Sequence, residues 1–402
     1  MIHSISYKNF YSFGEEAELS FVVNENAPKN NGYFTAPSGV RLSKVEAVVG
    51  PNASGKTNLL KTIPFIKWML VDSFDAEPSE MLPVQSFVLE GYKKQPTELS
   101  VVFEVNSKVY NYTFELNKER VLSEELKITS FSKEKKSTKR IFFREWNDAE
   151  KKYSFDGNGF GLPKGFENSL RTNASVIAVA VRFNHQESMD IINFWQKFET
   201  NVSEAGWNGG HFFPSRHSQV YDAITFFSDN EPLKKEAERL LSRFDLGLDL
   251  FEITKQKIEG RIVPMVRTSH TFGDKKESLQ LSYESAGTLQ LFVLLKHMLK
   301  ALSEGGTVVL DEIDVNLHPD MLIALHDLFI DPEMNQGNAQ MLFSSHSHLI
   351  LSKLDKYQII LVEKNKEGMS ESWRLDEMTG VRSDDNYYTK YITGAYGATP
   401  KL

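Results

Sequence analysis

Apolar and polar positions alternate with period two over residues 2–7 and 17–23, which predicts two strands joined by a turn around Ser12–Glu16. A polar stretch with Gly and Pro, Asn24–Gly39, reads as a loop. Lys44–Val49 is a short apolar strand that runs directly into a glycine-containing octapeptide. Asn58–Leu70 then has helical periodicity, with Leu59, Leu60, Ile63, Ile66 and Leu70 mostly on one face. Glu98–Val105 and Val109–Leu116 read as a hairpin turning at Asn106–Lys108, and shorter strands follow at Leu122–Ile128, Arg140–Trp146 and Lys152–Phe155. Residues 84–155 are therefore expected to be mostly antiparallel sheet.

Residues 165–245 read as mainly helical, with the amphipathic Leu233–Phe244 as the clearest segment, just after a proline. Strands resume at Leu250–Lys257 and Arg261–Thr268. The last third alternates helix 285–302, strand 307–312, helix 319–329, strand 340–344, helix 347–354 and strand 357–363. Such alternation implies a parallel sheet. The pattern predicts an α/β head whose N-terminal part spans 1–96 and whose C-terminal part spans 246–402. A β-rich, then helical lobe is inserted at 97–245.

Composition narrows the chemistry. The 402 residues include no cysteine, so disulfides, thiolate zinc sites and thiol nucleophiles are excluded. The net charge of -8 argues against a general basic coat for nucleic acid, while leaving room for a local basic strip. The first residues lack the basic start and apolar run of a signal peptide, and no run of eighteen apolar residues occurs. The expectation is a soluble cytoplasmic protein with no membrane segment.

Four motifs carry chemistry. Gly50-Pro51-Asn52-Ala53-Ser54-Gly55-Lys56-Thr57 fits G-x-x-x-x-G-K-[ST] at every fixed position, between a strand and a helix. Its glycines let successive N–H groups turn towards phosphates, helped by the positive end of the following helix. Lys56 is expected at the β- and γ-phosphates of ATP and the Thr57 hydroxyl on Mg²⁺, with Asn58 next to them. Thr307–Asp314 is an apolar strand ending in carboxylates, which lie at the edge of the sheet where ligands bind. There Asp311 would hold Mg²⁺ and Glu312 would polarise the attacking water.

Leu281–Gln290 opens a helix with small residues; locally Ser285 reads as an ordinary N-cap, and only the spacing to the acidic strand gives Ser285 and Gly287 more weight. Leu342–His348 is again a strand ending in polar residues, where a histidine can donate to a γ-phosphate; position favours His346 over His348.

These elements resemble the ATP-binding-cassette ATPase heads of SMC, Rad50 and RecF-like proteins. GPNASGKTNLL is similar to their Walker A motif, VVLDEID to Walker B, ESAGTLQ to a degenerate signature and SSHSH to the switch-histidine motif. The start ISYKNFYSF, the stretch EIDVNLHP and the ending YITGAYGATP resemble bacterial AAA-type ATPases of the abortive-infection and anti-phage group, such as the ATPase halves of the PARIS and AbiL systems. The likeness covers roughly residues 1–90 and 245–402.

It implies head-to-tail dimers, or higher homo-oligomers, that sandwich each ATP between one subunit's Walker motifs and the other's Ser285 and Gly287. Asp314 to His318 would be the D-loop and His346 the γ-phosphate sensor. The signature lacks the Leu-Ser-Gly-Gly-Gln consensus, and Gln85 is the nearest Q-loop candidate. Related chains often carry a TOPRIM nuclease, for which no constellation is left here, so a separate effector of that type is implied. The function implied is a nucleotide-gated sensor or scaffold in phage defence, with a RecF- or SMC-like DNA-repair ATPase as the alternative.

Lys133–Arg144 is the densest basic run, and reads as a solvated hairpin in preference to a nucleic-acid contact, which leaves nucleic acid open as a partner. Trp195, Trp207 and Phe212–Phe213 read as core before partner surface. His185, His217 and His270 show no metal-ligand spacing with carboxylates.

Overall fold

The computed structural model describes residues 1–131, 136–202, 216–244, 248–258 and 261–400. Its centre is a six-stranded sheet in the order Phe198–Thr200, Thr307–Leu310, Gln340–Ser344, Val45–Val49, Ile359–Lys364 and Ser370–Arg374. The first five strands are parallel and the last is antiparallel. Parallel strands covered on both faces are mostly apolar, and VEAVV, TVVL and QMLFS are buried along their whole length, with the polar Glu46, Thr307, Gln340 and Ser344 buried among them.

Their period-two alternation divides them between two cores. Val48, Val309, Leu342 and Ile360 face one, with the helices Thr62–Val71, Val176–Val181 and Gln186–Trp195. Ala47, Val49, Val308, Leu310, Phe343 and Leu361 face the other, filled by the helix Ala286–Glu304.

The first core is closed by an antiparallel sheet of seven strands. Ile2–Lys8 lies within it, between Ala17–Ser20 and Thr97–Val105; Lys108–Leu116, Val121–Phe131, Lys136–Asn147 and Lys152–Asp156 follow in order. The α/β head with an antiparallel lobe is thus the architecture that the sequence pattern anticipates. The sheets also show where the expected segments join: strands on either side of residue 96 share the antiparallel sheet, and Phe198–Thr200 adds an edge to the parallel one.

Several elements differ from the sequence reading. The helix expected over 58–70 is two, Lys56–Leu60 and Thr62–Val71, because Pro64 has no N–H to give to the Leu60 carbonyl and fits best in a first turn. The segment expected as helix 347–354 is a short 3₁₀ helix, His348–Ser352. Tyr33–Thr35 and Arg41–Ser43 form a small hairpin within the stretch read as loop and its flank. A third strand, Lys275–Gln280, extends the hairpin Leu248–Ile258 and Arg261–Phe272. No helix among the described residues is long and apolar enough to cross a membrane.

Candidate functional site

The loop Gly50–Gly55 leaves the parallel sheet between its two middle neighbours. Chain packing, as well as ligand geometry, demands glycine at both ends. A Cβ on Gly50 would collide with the Val362 carbonyl oxygen, and one on Gly55 with the Ser370 side chain. Gly55 also has φ +115°, and Ala53 sits at φ +61° in the same turn.

Two remote segments brace this loop. Ser370 Oγ donates to the Ser54 carbonyl and is hydrogen-bonded at 2.7 Å to Ser12 Oγ, which in turn accepts from Asn58 Nδ2 at 2.8 Å. The Lys56 ammonium is buried and folded back on the carbonyls of Gly50 and Pro51, at 2.9 and 3.1 Å. Burial pushes it below its usual pKa, partly offset by Asp311, Glu312 and Asp314.

The acidic strand ends at Leu310, so both carboxylates lie just beyond its carboxyl end. Thr57 Oγ1 donates to Asp311 Oδ2 at 2.7 Å. Ser344 Oγ donates to Asp311 Oδ1 and accepts from the Glu312 N–H at 2.7 Å. Glu312 itself holds φ +47°, a conformation that costs a non-glycine residue about 1–2 kcal/mol and persists only where its neighbours enforce it. His346 Nε2 lies 3.3 Å from Glu312 Oε1. The Asp314 carboxylate accepts from the N–H groups of His346 and Ser347, tying the 314–318 turn to the histidine segment.

Lys56, Thr57, Asn58, Glu312 and His346 line one cavity of about 440 Å³, together with Ser12, Lys364 and residues 52–55. The donors themselves test whether it suits a nucleotide. An ammonium is turned back on its own loop, Ser54 Oγ is buried with no partner among the described residues, and a hydroxyl faces a carboxylate. These are the groups that a triphosphate and a divalent cation would engage, so the residues fit both.

A family profile described as "AAA domain, putative AbiEii toxin, Type IV TA system" matches residues 47–352, more than half of the chain and all four motifs. The chain belongs to this family. As an AAA-type ATPase it has a nucleotide-binding head, and the cavity at the Gly50–Thr57 loop is where family and geometry coincide. Among solved structures, an SMC head domain from Thermotoga maritima is 14% identical at a TM-score of 0.40, over 93% of this chain and 98% of that one. An SMC head bound to the C-winged helix domain of ScpA is 14% identical at 0.46, over 94% and 99%. An Smc head with an extended coiled coil, bound to the C-terminal domain of ScpA derived from Pyrococcus furiosus, is 12% identical at 0.47, over 94% and 97%. No curated protein matches the chain in sequence.

The other residues singled out from the sequence fall elsewhere on this AAA-type head. Ser285 caps the helix Ala286–Glu304, accepting from the Thr288 N–H, and neither it nor Gly287 lines the cavity in its own chain. A Cβ on Gly287 would stand 2.7 Å from the Asn316 carbonyl, so the helix start packs against the 314–318 turn. His318 caps the helix Pro319–Ile330. Gln85 is exposed and lines a separate cavity with Phe87 and Lys118, while its carbonyl accepts from the Tyr11 N–H.

His348 packs on the Tyr391 ring, with centroids 4.8 Å apart. Trp195 is buried in the first core. Trp207, Phe212–Phe213 and residues 133–135 of the basic run lie outside the described residues. No group of three or more potential metal-ligating side chains occurs among the described residues.

Sequence reasoning missed Ser12, Ser344, Lys364, Ser370 and Asn201. Asn201 accepts from the Asp311 N–H at 2.7 Å and donates to its carbonyl at 3.0 Å. Ser344 opens the SSHSH segment and Ser12 lies in ISYKNFYSF, but neither segment by itself assigns it a role, while Asn201, Lys364 and Ser370 have no motif; the sheet order brings all five to the loop.

Proposed function

We propose that this protein binds ATP with Mg²⁺ and hydrolyses it, and that it works as a nucleotide-gated sensor or scaffold in phage defence, governing a separate effector. The observation that carries the catalytic part is the meeting of Lys56, Thr57, Glu312 and His346 at one cavity, with the Asp311 carboxylate held against the Thr57 hydroxyl, through side chains drawn from three parallel strand ends. Mg²⁺, held by Thr57 and Asp311, would supply charge neutralisation across the terminal phosphates. Lys56 would exchange its two loop carbonyls for β- and γ-phosphate oxygens. Glu312 would orient the attacking water and accept its proton, and His346, 3.3 Å away, would set the Glu312 carboxylate and donate towards the γ-phosphate.

Ser285 and Gly287 stand apart from the cavity of their own chain. This supports a head-to-tail dimer in which a second copy contributes them, with Asp314–His318 at the interface. The family description, which names a putative AbiEii toxin and a Type IV TA system, supports a place in defence; beside it we propose a separate effector, such as a TOPRIM-type nuclease, in the cytoplasm.

The test is Mg²⁺-dependent ATP turnover by the purified chain, followed by co-purification from cells that carry its native gene neighbourhood. Lys56→Ala should abolish nucleotide binding. Turnover that depends on duplex DNA, with no effector recovered, would favour the RecF-like DNA-repair reading instead.

A further inference from the structure

The edge strand Phe198–Thr200 joins two clusters that are far apart in sequence. Its backbone ladder pairs Phe198 with Thr307, Glu199 with Val308 and Thr200 with Val309, and then stops. The side chain of Asn201 carries the pairing one residue further. Its Oδ1 accepts from the Asp311 N–H at 2.7 Å and its Nδ2 donates to the Asp311 carbonyl at 3.0 Å. One amide therefore holds both backbone groups of the residue that precedes Glu312. From the opposite side, Ser344 Oγ holds the Glu312 N–H and the Asp311 carboxylate. Between these two clasps the chain is forced into φ +47° at Glu312.

In the middle of the strand, two residues before Asn201, Glu199 is anchored to the helix Ala286–Glu304. Its carboxylate accepts from Lys296 Nζ at 3.0 Å and Lys300 Nζ at 2.6 Å, and bonds His297 Nδ1 at 2.7 Å. Lys296 also reaches Asp222, on the helix Arg216–Asp229, at 2.9 Å. A cavity of about 390 Å³ flanks this segment, lined by Trp68 and Lys67 opposite Glu199, Asn201 and His297. The strand thus has one firm tie at its middle residue and another just past its carboxyl end, with open space along one side. A shift of the Ser285 helix would be passed through Glu199 to Asn201, and from there to the Asp311 peptide.

We propose that Asn201 is a positioning residue for the acidic pair, and that Glu199–Asn201 makes the setting of that pair depend on the helix that begins at Ser285. The inference rests on reading Asp311 and Glu312 as the hydrolytic pair. Asn201 is not among the residues that line the phosphate-loop cavity, and its side-chain amide bonds the Asp311 backbone. It fixes where the Asp311 carboxylate meets the metal and where Glu312 points, so its loss acts on metal use and turnover while leaving the phosphate loop intact. An amide that merely terminated an edge strand would change stability and nothing else.

The experiment uses the full chain and three readouts: ATP turnover across a Mg²⁺ titration, ATP affinity in EDTA, and the thermal midpoint. Asn201→Ala should lower kcat by about 10–100-fold and raise the Mg²⁺ needed for half-maximal turnover severalfold, the usual scale for residues that orient metal ligands. ATP affinity without metal should stay within about twofold. Lys300→Met loosens the far tie while Lys296 and His297 remain, and should shift kcat and Mg²⁺ dependence in the same direction by less. If Asn201→Ala does not fold, Asn201→Asp enters the same assay, keeping the acceptor for the Asp311 N–H and losing the donor. Glu312→Gln is run in parallel: full turnover in that variant defeats the reading of the acidic pair itself. Loss of turnover in Glu312→Gln, with unchanged kcat and Mg²⁺ dependence in the Asn201 variants, overturns the role given to Asn201 alone.

Discussion

Glu312 combines an exposed carboxylate with a backbone angle that few glutamates adopt, and Ser344 and Asn201 are what keep it there. Glu312→Gln retains shape and backbone, so ATP binding should persist while kcat falls by about 10²–10⁴-fold, as measured by steady-state turnover beside nucleotide titration. Gly50→Ala is predicted to act differently. Its added methyl meets a backbone carbonyl that cannot rotate away, so the loop itself must move, and turnover should fall by about 100-fold together with weakened ATP binding.

At this scale the sequence is legible only where chemistry imposes spacing. Gly50, Gly55, Lys56 and Thr57 are held to fixed intervals because one loop must wrap one set of phosphates. Ser370 and Asn201 are ordinary polar residues, and Ser12 and Ser344 sit without a marked role inside longer recognisable segments; the importance of all four comes from which strand ends lie side by side.

Among the elements, the parallel strands were readable because burial on both faces favours short, mostly apolar runs. The edge strand Phe198–Thr200 was not, since three residues are too few to show a period. The helix break before Pro64 follows from a missing N–H that the hydrophobic pattern does not report. Glu199 on the edge strand supplies a further test. Burial opposes its ionisation, yet the hydrogen bond from His297 and the charges of Lys296 and Lys300 hold its carboxyl well below the usual carboxylate range.

A depressed native pKa gives stability that is complete above the unfolded value of about 4.3 and is lost as pH falls from there towards the native value. The thermal midpoint of the native chain should therefore fall more steeply below about pH 4.3 than that of Glu199→Gln. Glu199→Ala leaves Lys296 with Asp222 as its remaining carboxylate, and should be destabilising in denaturant unfolding by less than the roughly 3–5 kcal/mol of a fully uncompensated buried charge.

For the whole molecule, the two-chain reading makes a prediction that neither site can make alone. Lys56→Ala disables one chain's loop but leaves its Ser285 helix intact; Ser285→Arg does the reverse. Each variant alone should be inactive, and mixing them should restore part of the turnover, because one complete composite site can form. Size-exclusion chromatography with light scattering should show Glu312→Gln shifting towards dimer when ATP is added. No recovery on mixing would place the whole site within one chain. The shape of the head was visible in the order of strands and helices, but the way the antiparallel sheet gathers residues 2–8 and 97–105 side by side is a long-range pairing with no local signature.

The position of the loop strand also bears on how the chain is made. Val45–Val49 lies between Gln340–Ser344 and Ile359–Lys364, so neither neighbour exists when it leaves the ribosome. Its ladder has to wait until Gln340–Ser344 and Ile359–Lys364, about three hundred residues further on, have been synthesised. The phosphate loop can take its final form only at that point. Premature termination anywhere before residue 340 would therefore leave a product with no working site, whatever else of it had folded.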